Sequence, residues 1–146
     1  MTKLTTYTNR KIIPNEYPMV SYRTKEYDLL VKYNKISVSQ EDSIIILKWM
    51  ANSCQPKYWR KMNLKINFRN CQRAWGGKRR GIPFVTIPHS NKVIGVLVHE
   101  FTHAHNYFFK SGRNHNDGFI LTQDKFIRKF HTTKAREIAS IKEKYI

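Results

Sequence analysis

Acidic residues are missing from the middle of this chain: none occurs between Asp42 and Glu100, a stretch that holds eleven lysines and arginines. That gap leaves acidic residues scarce for the Asp/Glu clusters that Mg²⁺ chemistry more often uses. Cysteine is nearly absent too. Cys54 and Cys71 stand alone without CxxC spacing, so neither a disulfide framework nor a four-cysteine zinc site can be built, and both are expected reduced and buried. No apolar run approaches the roughly 20 residues that span a bilayer. The opening MTKLTTYTNRKIIPNEYPMV lacks the apolar core of a signal peptide, which leads to the expectation of a soluble, cytoplasmic protein without membrane contact. With 6 glycines and 5 prolines scattered over 146 residues there is no linker composition, and the reading is one domain, 1–146, acting as a monomer.

What is present in excess is positive charge. The net charge of +17 exceeds what solubility asks for and points to an anionic partner. Much of the excess falls between Lys57 and Arg80, where Lys57, Arg60, Lys61, Arg69, Arg73, Lys78, Arg79 and Arg80 are interleaved with aromatic residues, Trp75 among them. Cations neutralise phosphates and rings stack on bases, so this segment is the expected contact for DNA, single-stranded by preference.

The chemistry concentrates in VLVHEFTHAHNYFF, residues 96–109, which contains His99-Glu100-x-x-His103. On an α-helix, positions i and i+4 share a face, so two imidazoles can meet one metal ion with a carboxylate at the edge of that face. Stepping 100° per residue puts Leu97, Phe101, Ala104 and Phe108 in one apolar stripe and both histidines well away from it, while His105 falls off their face. The chemistry this set suits is Zn²⁺-dependent hydrolysis with Glu100 as general base. The bland alternative, two solvated histidines, fits poorly inside so apolar a helix.

Around that helix the chain reads as α+β. Residues 1–23 form an irregular lead-in, and KEYDLLVKYNKI spaces Tyr27, Leu30 and Val31 for a short, weakly packed helix. Ser39 opens a long helix, with Ile44, Ile45, Leu47, Trp49 and Met50 as its apolar face. LKINFRN alternates as a strand, CQRAWGG is a second, and IPFVTI returns as a third after a turn built from Gly76, Gly77 and Gly81. Together they predict a small three-stranded antiparallel sheet packed with the metal helix and flanking helices, Pro83 lying at a strand start or edge. Ser90 or Asn91 is expected to cap the metal helix. A reversal near Gly112 leads to a helix carrying Phe119, Ile120, Phe126, Ile127 and Phe130, and a last helix spans about 133–146.

Two imidazoles leave a zinc site one protein ligand short. His89, His105, His115, His131, Asp117 and Asp124 are the candidates. His115 stands on the loop that folds back past the metal face and is favoured, with Asp117 the alternative; Phe119 would lock that loop by burying its ring.

These residues resemble a family. VLVHEFTHAHN followed by HNDGF is similar to the SprT-like (Spartan-related) zinc metalloproteases, whose pattern is HExxH, a short variable loop, then a histidine with Phe four positions later; His99, Glu100, His103, His115 and Phe119 match it. CQRAWGGKRRGIPFVTIP is similar to the strand pair that precedes the metal helix there, and the resemblance covers about 40–131. It implies a zincin-type fold and a zinc endopeptidase that cleaves proteins bound or crosslinked to DNA. Two departures stand out: Asn116 follows His115 where the family often has Gly, and no four-cysteine zinc ribbon accompanies the core. Nucleic acid would then be held by the catalytic domain itself. A compact, basic core of this kind would suit a phage or other mobile element. Against the peptidase stand a metal-dependent nuclease or nucleic-acid-binding protein, which would account for the charge, and a catalytically silent zinc-binding protein, against which the intact Glu100 argues.

Overall fold

A computed structural model describes residues 25–54, 63–109 and 117–146. In chain order the elements are α1 (Lys25–Tyr33), α2 (Gln40–Ser53), β1 (Lys65–Arg69), β2 (Trp75–Arg79), β3 (Ile82–Pro88), α3 (Ile94–Phe109), α4 (Asp117–Thr132) and α5 (Arg136–Tyr145). The architecture is α+β, five helices with a three-stranded sheet of order β1-β3-β2.

The sheet is mixed, not antiparallel throughout. β2 and β3 form the expected hairpin, with Arg79 opposite Ile82, but β1 runs parallel to β3, with Ile66 opposite Val85. Alternating residues reveal a strand without revealing its neighbour, and here β1 pairs not with the next strand but with the one after it. The turn also differs from expectation. Gly76 and Gly77 lie inside β2, and the hairpin closes on Arg80 and Gly81 alone, with φ of 52° and 80°. Two successive positive φ values are what a two-residue type I′ connection requires. The second strand begins only at Trp75, leaving residues 71–74 outside it. Pro83 stands at the start of β3, one residue before β1 begins to pair at Phe84, so its missing N–H interrupts no bond to β1.

Ser39 caps α2 as expected, its hydroxyl accepting from the Asp42 amide at 3.1 Å. The return arm is unusual. Tyr145 of α5 accepts from the Ser39 amide at 3.1 Å and donates to Asp42 Oδ2 at 2.7 Å, tying the last helix to the start of α2. The buried face of α2 is Ser43, Ile46, Leu47, Trp49 and Met50, whereas Ile45 is 40% exposed. α1 packs more firmly than its length suggests: Leu30 and Tyr33 are fully buried, and Tyr33 meets Phe130 of α4 edge-on at 5.5 Å.

Neither Ser90 nor Asn91 caps α3. The approach to α3 bridges the approach to α2 at Ser37 and Val93, and the Ile94 amide donates to the Ile36 carbonyl at 3.0 Å. Backbone pairing thus replaces the side-chain cap. α3 then runs through the core with Ile94, Val96, Leu97, Val98, Phe101 and Ala104 fully buried, packed on β2 and β3 on one side and α4 on another. In α4, Phe119, Ile120, Phe126, Ile127 and Phe130 are all buried as their spacing predicts. Lys142 of α5 closes the end of α4, donating to the carbonyls of Phe130, His131 and Thr133 at 2.9, 2.7 and 2.9 Å. Cys54 is buried and Cys71 only partly so; burial pushes the Cys54 thiol up to about 12, which keeps it protonated. No helix among the described residues is long and apolar enough to cross a membrane.

Candidate metal centre

His99, Glu100 and His103 come together on α3, each offering one ligand atom and all of these atoms within 4.8 Å of one another, so the group can hold a metal ion. His99 is 2% exposed and Glu100 5%, while His103 is half-buried. The two imidazoles meet edge-on, centroids 4.8 Å apart at 87°.

Three neighbours fix these side chains. From α4, Phe119 sets its ring 5.2 Å from His99 and 4.5 Å from His103, the burial expected of it, though here it braces the histidines themselves. One turn further along α4, Gln123 Oε1 lies 2.6 Å from His99 Nδ1. An amide oxygen only accepts, so Nδ1 carries the hydrogen and Nε2 keeps its lone pair for a metal. On the sheet side, β2 presses against the same helix at Gly76: a Cβ there would lie 2.1 Å from the Glu100 carbonyl oxygen and 3.1 Å from His103 Cβ. Only glycine lets the strand come this close.

The remaining histidines divide as follows. His105 is buried away from the cluster among Phe101, Phe109 and Phe126, with ring centroids 6.1, 4.9 and 4.9 Å away. His89 stacks on Phe68 at 6.2 Å, and His131 Nδ1 is hydrogen-bonded to the Tyr33 hydroxyl at 2.6 Å. Asp124 is buried in α4 and is not a member of the metal-competent group. His115 lies outside the described residues; Asp117 is the first residue of α4, its side chain outside them as well.

The basic segment is split by the fold. Lys57, Arg60 and Lys61 lie outside the described residues. Arg69, Arg73, Trp75, Arg79 and Arg80 line one groove of about 710 Å³, which Lys65 and Phe84 join. Lys78 is exposed but is not part of that groove; its partner across the hairpin is Pro83, and this pair belongs to the other face of the sheet. Sequence reasoning missed Gln123, whose one signal was its place a helical turn after Phe119, and Lys65, whose alternation with Ile66 put it on the same side as Arg69. Comparison with protein-family models, with curated proteins and with solved structures finds no match.

Proposed function

We propose that the chain is a zinc-dependent endopeptidase of SprT-like type, acting on proteins associated with DNA. The observation that carries the proposal is the His99–Glu100–His103 group, with His99 and Glu100 buried and Gln123 and Phe119 packed on its imidazoles. Two neutral imidazoles beside a carboxylate are a donor set suited to Zn²⁺, with His115 as third protein ligand and Asp117 as the alternative. Zinc bound there would supply Lewis acidity toward water and the scissile carbonyl.

The protein's own groups do the rest. Glu100, 5% exposed, would take a proton from the attacking water and return it to the leaving amine. Gln123 holds the His99 hydrogen on Nδ1 throughout. Phe119 packs its ring against both histidines, and Gly76 lets β2 approach the helix beside His103.

The test pairs metal analysis with a conservative variant. Wild type purified with metal and without chelator should carry one zinc per chain and cleave an unfolded protein substrate. Glu100→Gln should keep zinc and melting temperature while losing about 10²- to 10⁴-fold in rate, the usual worth of a general base. Absence of stoichiometric zinc in the wild type, or Glu100→Gln activity within a few fold of it, would sink the reading. Metal-dependent cleavage of DNA without proteolysis would replace it with a nuclease.

A further inference from the structure

The sheet has two chemically different faces. Gly76 meets the metal helix, and Val85 and Ile66, its partners in register, are on that same side. Residues an odd number of positions away therefore project from the opposite side: Lys65 and Arg69 from β1, Phe84 and Thr86 from β3, Trp75 and Arg79 from β2. All six line the groove, as do Arg73 and Arg80. Five cations border this one concavity and no carboxylate lines it.

Its aromatic residues are not spent on the core. Trp75 is 56% exposed, although a ring of that size is normally covered. Phe84, 6.5 Å from it, already has the Arg79 guanidinium 5.7 Å from its centroid, which leaves Trp75 as the ring with a face open to a ligand. The floor is three strands wide, about 10 Å from β1 to β2 at the usual strand spacing, room for one polynucleotide strand.

We propose that this face of the sheet is a docking groove for single-stranded nucleic acid, with Lys65, Arg69, Arg73, Arg79 and Arg80 on the phosphates and Trp75 stacked on a base. Charge complementarity selects a polyanion, and the exposed ring beside the cations selects one with bases to stack over a merely acidic surface. Because the groove and the metal-competent cluster occupy opposite sides of the sheet, the strand held here is an anchor and not the bond that is cut. The groove stands whether or not the cluster hydrolyses peptides.

The experiment is fluorescence anisotropy of a labelled single-stranded DNA 15-mer with the full chain, over a salt series, beside a duplex of the same sequence. Binding should weaken steeply with salt, with a slope in log K against log salt of about −0.7 for each phosphate neutralised. Arg69→Glu with Arg79→Glu should weaken it more than tenfold and flatten that slope. Lys48→Glu with Lys134→Glu, the same charge change at an exposed position of α2 and in the connection between α4 and α5, should leave affinity within about threefold. Trp75→Ala should cost on the order of tenfold with the slope unchanged, and Trp75→Phe should recover most of it. Melting temperature and zinc content of each variant separate lost binding from lost fold. Equal affinity for duplex, equal losses in the two charge-reversed pairs, or an indifferent Trp75→Ala would overturn the proposal.

Discussion

His99 donates its Nδ1 hydrogen to a residue 24 positions away on another helix, and this single bond decides which ring nitrogen faces the metal position. Replacing Gln123 by Ala removes the acceptor, frees the ring to flip and leaves a buried N–H without a partner. Loss of such a supporting bond typically lowers metal affinity 10- to 100-fold, and that is the expected fall in zinc affinity, measured by competition with a chromophoric chelator at constant pH. Gln123→Glu, which still accepts, should stay near wild type; a Gln123→Ala protein with undiminished affinity would show that Phe119 alone orients the imidazole. Legibility at this scale follows sequence distance. His99, Glu100 and His103 are readable because one helical turn brings them together. Gln123 is not, because its role exists only once α4 has packed on α3. His105 was correctly set apart from the metal face by the helical period, and its aromatic surroundings show why a buried histidine there needs no metal.

Between elements, the decisive contact is where β2 crosses α3. A methyl group on Gly76 would fall 2.1 Å from a backbone carbonyl oxygen, which cannot rotate aside as a side chain would, whereas one on Gly77 would meet the Phe84 ring at an ordinary 3.5 Å. Adjacent substitutions should therefore behave differently. Gly76→Ala is expected to lose about 3 kcal/mol or fail to fold, at the upper end of overpacking costs, while Gly77→Ala stays within about 1 kcal/mol of wild type. Thermal melting followed by far-ultraviolet circular dichroism checks both, and equal melting temperatures would mean that the strand can retreat from the helix. The sequence marked three glycines as turn formers, yet only Gly81 serves the turn. A glycine tolerated for close approach and one required for positive φ look alike until the partner surface is known. Strand pairing was hidden for a related reason: alternation in LKINFRN fixed which residues face inward, but the parallel register of β1 on β3 is decided by the shared core, which no local pattern encodes.

Across the whole molecule, the sequence shows how much charge there is but not how the fold sorts it. The groove collects Lys65, Arg69, Arg73, Arg79 and Arg80, Lys78 is left on the other side of the sheet, and Lys142 is turned inward to close α4. Helix ends that draw on such contacts make stability depend on pH in a defined direction. His131 is held below its ordinary 6.5, first by burial and then by the positive charges of Lys32 and Lys142, so the folded protein prefers the neutral ring, which pairs with the Tyr33 hydroxyl. A histidine whose folded value is depressed contributes stability that is present above 6.5 and is lost as pH falls from there through the lowered folded value. Asp42 acts in the same sense further down: its hydrogen bond from Tyr145 holds the carboxyl below its ordinary 3.8, and the clasp between α2 and α5 weakens as acid protonates it. With metal removed by chelator, so that His99 and His103 add no zinc-linked term, the urea midpoint should fall between pH 7.5 and pH 5.5. His131→Gln should flatten that fall, because the amide can still pair with the Tyr33 hydroxyl, as donor or acceptor, but does not titrate. If the variant loses stability over this range as steeply as the wild type, the acid sensitivity resides in the other histidines and the Tyr33–His131 bond is not its source.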